Sequence, residues 1–157
     1  TAHPWVIGEG EPLAALLESQ RGVVQTCVDH GPILRAVAEA APLDERLEKT
    51  WSAFTERWEA VVEARIKAQQ ADGLISKSLD GKRIANALNT MDTGLLIAEF
   101  GRRPQGDPEA VLGTMHDVWS STLYGGQRAS AECERKRPTR GRRARGSRGG
   151  RDGGRQR

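Results

Sequence analysis

The chain has 157 residues, 37% of them hydrophobic and 29% charged, which is enough for one domain with a real core. Its net charge of +3 hides a division: residues 135–157 carry eleven basic residues against one acid, Asp152, leaving thirteen basic and twenty acidic residues, −7, on the part before. Two cysteines, Cys27 and Cys133, are too few for a disulfide framework, and no apolar run approaches the roughly 18 residues needed to span a membrane. There is no signal-peptide pattern, so a cytosolic protein without a membrane partner is the default expectation.

Residues 1–10 hold one large apolar cluster, Trp5–Val6–Ile7, and read as the remnant of a preceding element or a loop strapped onto the core. The main domain is expected over 11–128. Glu11–Pro12 opens its first helix, with Leu13, Leu16, Leu17, Val23, Val24 and Cys27 on one stripe and an end near Gly31. Pro32 restarts the chain as a short helix. Pro42 begins what the sequence makes the longest helix, whose stripe carries Trp51, Phe54, Trp58, Val61 and Val62 and which Asp72–Gly73 closes. Asp80 caps a helix with Ile84, Leu88, Met91 and Leu95 at spacings of three and four. A second stripe, Ala85, Asn89, Asp92 and Leu96, runs beside it, and Phe100–Gly101 ends it. Asp107–Pro108 opens the last helix, with Val111, Leu112, Met115, Val118, Trp119 and Leu123, and Gly125–Gly126 is expected to stop it. Every periodic segment is helical, so the fold class is all-α, a bundle of about five helices. Residues 129–157 are a basic, Gly/Arg-rich tail too poor in apolar residues to fold.

The usual chemical signatures are missing. His3, His30 and His116 are far apart, no Cys/His set has zinc spacing, and there is no phosphate loop or nucleophile elbow. No metal, cofactor or catalytic residue is expected, and the chain is not read as an enzyme; the rival of a small all-α enzyme would have only Asp92 as acid or base. The aromatic stripe of Trp51, Phe54 and Trp58, with Trp119, is either ordinary core or the wall of a pocket. Asn89 and Asp92 on an inward stripe favour the pocket, because buried polar groups need partners.

Three stretches, His30–Gly31–Pro32–Ile33–Leu34–Arg35–Ala36–Val37–Ala38–Glu39–Ala40–Ala41, Ala87–Leu88–Asn89–Thr90–Met91–Asp92 and Val118–Trp119–Ser120–Ser121–Thr122–Leu123–Tyr124–Gly125, resemble the C-terminal domains of TetR-family transcriptional repressors. The resemblance implies a homodimer whose last two helices form a four-helix bundle with their copies. It implies a pocket for a small apolar effector, and operator DNA bound only through an N-terminal helix-turn-helix that would precede Thr1 and is absent from this chain. Carried over position by position, it places Ala15, Leu16, Ser19, Val23, Trp51, Phe54, Thr55, Trp58, Val61, Val62, Asn89, Asp92, Leu96 and Trp119 in the pocket. The dimer face is expected to use Ile84, Leu88, Met91 and Leu95 with Val111, Thr114, Val118 and Ser121. A carboxylate at Asp92 would favour an effector carrying a hydrogen-bond donor or a positive charge. The alternative is a helical oligomeriser that binds nucleic acid non-specifically through its basic tail.

Overall fold

The computed structural model describes residues 3–135, with side chains described as far as residue 125. It is all-α, with no strand among the described residues. The helices are α1 (Pro4–Ile7), α2 (Pro12–Ala40), α3 (Glu45–Ala71), α4 (Gly81–Phe100) and α5 (Pro108–Arg135), with a 3-10 turn at Ala41–Leu43. The apolar cluster near the N-terminus is thus a single helical turn, and its Trp5 is 2% exposed. The basic stretch beyond 135, and with it the nucleic-acid reading, lies outside the described residues.

The helix starts follow local chemistry. Glu11 accepts the Ala14 N–H at 2.8 Å, Asp44 accepts from Arg46 and Leu47, Asp80 from Arg83, and Asp107 from Glu109. Each carboxylate satisfies an N–H that the helix itself leaves unpaired, at the positive end of its dipole. Gly73, at φ +76°, turns the chain after α3.

Three helix boundaries differ from the sequence expectation. The first concerns Pro32, which does not break α2; the helix continues to Ala40. A proline inside a helix removes one N–H, here the donor for the Val28 carbonyl four residues earlier. Gln105, on the α4–α5 loop, supplies the missing donor: its Nε2 donates to the Val28 carbonyl at 2.9 Å and to the Phe100 carbonyl at 3.1 Å. Gly31 completes the joint, since a Cβ there would lie 2.4 Å from the Phe100 carbonyl oxygen. The second boundary is the start of α3. Pro42 sits in the 3-10 turn and Asp44 caps the helix, so α3, at 27 residues, is shorter than the uninterrupted α2 at 29. The third is the end of α5, which passes through Gly125–Gly126 to Arg135. Glycine lowers helix propensity by about 1 kcal/mol but deletes no hydrogen bond, so it does not by itself end a helix.

α3 lies along α4, α2 packs on both α4 and α5, and α2 and α3 touch little. Two buried clusters result. One gathers Trp5, Leu16, Val62, Ile66, Ile75, Leu88, Trp119 and Leu123; the other gathers Val24, Cys27, Leu96, Phe100, Val111, Leu112 and Met115. Leu88 and Val111, expected on the dimer face, are 4% and 6% exposed within the protomer and belong to these cores. Spacings of three and four define a face of a helix; they do not say which neighbour covers it.

Candidate functional site: a cavity between the two cores

Between the clusters lies a cavity of about 330 Å³, walled by α1, α2, α3, α4 and α5. From α2 come Leu16, Ser19 and Val23, from α3 Trp51, Phe54, Trp58 and Val62, from α4 Asn89, Asp92 and Leu96, and from α5 Trp119, all of them expected from the sequence. The α3 contribution is a single stripe at spacings of three and four, three turns long, which the helix directs at the gap between itself and α2. Phe54 is 59% exposed and Val62 is 1% exposed, so the stripe runs from the rim of the cavity at Phe54 into the core at Val62. Trp51 and Phe54 stack obliquely at 5.9 Å, and the His3 ring meets Trp58 edge-on at 5.1 Å.

Thr55 and Val61 do not line the cavity. They flank the stripe, and the Thr55 hydroxyl is turned back onto its own helix, donating to the Ser52 carbonyl at 2.9 Å. Ala15 is buried in the first core instead. In their place the wall includes His3 just before α1, Trp5 and Val6 from α1, Gln20, Thr26, Cys27, His30 and Leu34 from α2, Thr93 from α4 and Met115 from α5. The α2 residues carried a readable signal. Ser19, Val23, Cys27, His30 and Leu34 make one helical stripe, visible only if the helix is allowed to pass Pro32. Burial pushes the Cys27 thiol up, so it remains a protonated small hydrophobe.

The wall is mostly apolar, yet several of its buried polar atoms have no partner within the chain. They are Gln20 Nε2, both side-chain polar atoms of Asn89, Asp92 Oδ1 and Trp119 Nε1. Gln20 spends its other end on His116, with Oε1 and Nδ1 at 3.1 Å. Burial pushes the Asp92 carboxyl up to about 7, and the Trp119 indole N–H, which faces it without closing a full hydrogen bond, offsets only part of that. Leaving a buried donor or acceptor unpaired costs about 1–3 kcal/mol, so several in one chamber mark a surface built to be met by something else. No cluster of metal-ligating side chains occurs among the described residues.

Of the expected dimer face, Ile84 and Met91 pack partly buried against the first core and Leu95 against the second. Thr114, Val118 and Ser121 on α5 point outward, with Gly113 and Asp117 beside them. The outward face of α4 carries Ala87, Thr90 and Gly94.

An apolar chamber with a few convergent polar groups, set among the helices of an all-α bundle, has the usual form of a small-molecule site. Residues 17–125 match the family described as transcriptional regulator EthR, C-terminal domain, and the chain belongs to that family. It is similar to the HTH-type transcriptional regulator EthR of Mycobacterium tuberculosis, with 31% identity over 105 residues covering 66% of this chain and 49% of that protein. The EthR of Mycobacterium bovis matches to the same extent. The EthR of Mycolicibacterium smegmatis is 27% identical over 97 residues, covering 61% of this chain and 45% of that protein. The chain thus spans about half the length of the relatives it matches, and those relatives are named as regulators of transcription, not as enzymes. No helix among the described residues is long and apolar enough to cross a membrane.

Proposed function

We propose that this chain is the effector-binding and homodimerising part of a TetR-family transcriptional regulator. A small, mainly apolar molecule enters the cavity between α2 and α3. Its binding alters how strongly an N-terminal helix-turn-helix, outside this chain, holds operator DNA. The observation that carries the reading is the cavity itself, about 330 Å³ with unpartnered polar atoms of Asn89, Asp92, Trp119 and Gln20 along its wall. That volume is at the lower end for a small-molecule site, and a few fixed polar groups in an apolar chamber are its usual form. Membership in the EthR C-terminal-domain family supports the regulatory role.

The test uses the 157-residue chain and Nile red, an uncharged apolar dye whose emission rises in apolar surroundings. Saturable binding of one dye per chain is expected, weakened by Val23→Phe, which fills the half-buried wall of α2 without changing the helical circular dichroism. Emission that does not saturate, or that ignores Val23→Phe, overturns the effector reading.

Dimerisation is assigned to the outward faces of α4 and α5, where small side chains let two helices approach closely. Light scattering of the chain should give twice the monomer mass, and Val118→Asp, at a position 36% exposed within the protomer, should return a folded monomer. A wild-type monomer would remove the dimer from the proposal.

A further inference from the structure

Asn89 and Asp92 are three residues apart on α4 and both line the cavity, so their side chains leave one face of the helix. Each holds an oxygen acceptor, Asn89 Oδ1 and Asp92 Oδ1, that is buried and has no partner within the chain. The lining includes no lysine and no arginine; apart from Asp92, its ionisable groups are His3, His30 and the protonated Cys27. Around it stand Trp5, Trp51, Phe54, Trp58 and Trp119. Indole and phenyl faces attract cations, most strongly where water is excluded. A carboxylate in such a chamber lacks a counter-charge from the chain and either takes up a proton or waits for a cation. An anionic ligand would meet this carboxylate with no cation to offset it. A neutral one would leave it uncompensated.

We infer that the effector is an amphiphilic amine, a protonated nitrogen on an apolar body, with the ammonium held by Asp92 and Asn89 and the body laid against the α3 aromatics. This rests on the effector reading above and narrows it to one chemical class. The remaining unpaired donors, Asn89 Nδ2, Trp119 Nε1 and Gln20 Nε2, are available to an acceptor atom beside the ammonium. The raised Asp92 carboxyl, at about 7, agrees with a site lacking its positive partner. An ammonium beside it would draw that value down and favour the charged pair.

The experiment compares octylamine, octanol and octanoate, three eight-carbon chains with a cationic, a neutral and an anionic head. Binding to the full chain is followed at pH 8 by tryptophan fluorescence and calorimetry, for wild type and Asp92→Asn. The wild type should prefer the amine to the alcohol by roughly tenfold or more, as a charge-assisted hydrogen bond adds to the common apolar contribution, and should bind octanoate least. Asp92→Asn should bring the amine and the alcohol to nearly equal affinity, chiefly by weakening the amine. Equal binding of all three by the wild type, tightest binding of octanoate, or an amine preference that survives Asp92→Asn overturns the inference while leaving the effector cavity standing. Failure of all three to bind overturns the cavity reading and the inference together.

Discussion

Trp5 and Trp119 touch edge to face with ring centroids 5.7 Å apart, and their two N–H groups are used in opposite ways. The Trp5 indole donates to the Tyr124 hydroxyl at 2.9 Å, and that hydroxyl donates to Gln69 Oε1 at 2.8 Å. The Trp5 backbone N–H donates to Ser19 Oγ at 3.0 Å. On this side most polar atoms are spent on holding α1, α2, α3 and α5 together; Gln69 Nε2 and Arg65 Nε are left over. On the other side of the same ring pair, the polar atoms of Trp119, Asn89 and Asp92 that face the cavity hold nothing together. The first network gives up desolvation and recovers it in hydrogen bonds; the second gives it up and does not. The unrecovered cost is what distinguishes the cavity side, since aromatic rings stand on both sides.

Substitutions that treat the two sides alike should give unlike results. The largest effect is expected at Asp92. Its carboxyl is raised from 3.8 to about 7 in the folded chain, so the folded state holds the proton more tightly than the unfolded one. Stability therefore falls as pH rises between those two values and is flat above them. Asp92→Asn should stabilise the ligand-free domain at pH 8, by at most about 4 kcal/mol at 1.36 kcal/mol per pKa unit, and by little at pH 4. Urea unfolding at both pH values measures this, and an equal effect at the two would show that the charge is not the cause.

Tyr124→Phe comes next. It strands the Trp5 indole N–H and Gln69 Oε1, and should lower stability by about 1–3 kcal/mol with little change in Nile red affinity. Gln105→Leu, which takes the surrogate donor away from the Val28 and Phe100 carbonyls, should cost about 1–2 kcal/mol. The loss should appear locally as faster amide exchange around Pro32. Asn89→Leu should have the smallest effect on stability, within about 1 kcal/mol or slightly favourable, because it removes two unpaired atoms at similar volume. Its effect should instead be on amine binding. If Asn89→Leu destabilised the fold as much as Tyr124→Phe, the distinction between the two sides would be lost.

Much of this was legible in the residues. Trp51, Phe54, Trp58 and Val62 share a helical stripe, and Asn89 and Asp92 interrupt an apolar one, so the α3 rim and the polar part of the wall could be named from spacing and chemistry. Thr55 was drawn in from the resemblance and Val61 from a stripe read too broadly; both fall beside the residues that line the cavity. His3 and Trp5 could not be placed, since a four-residue helix has no periodicity to read. Leu88 and Val111 show the opposite case: their periodicity was legible, and the neighbours that cover them within the protomer were not.

By itself the sequence determined the elements: all-α class, the carboxylates at Glu11, Asp80 and Asp107 that open helices, and the stripes along each helix. These are set by hydrogen bonds and spacings within a few residues, which a linear text records. Only the tertiary structure decided that α2 runs through Pro32, because the donor that replaces the proline's missing N–H comes from Gln105, on a loop 77 positions from Val28. It alone decided which polar atoms are left without partners, because pairing depends on which distant helices meet. That difference, between Tyr124 reaching Gln69 and Asn89 reaching nothing in the chain, separates the part of the molecule that maintains the fold from the cavity wall at which we propose the effector binds.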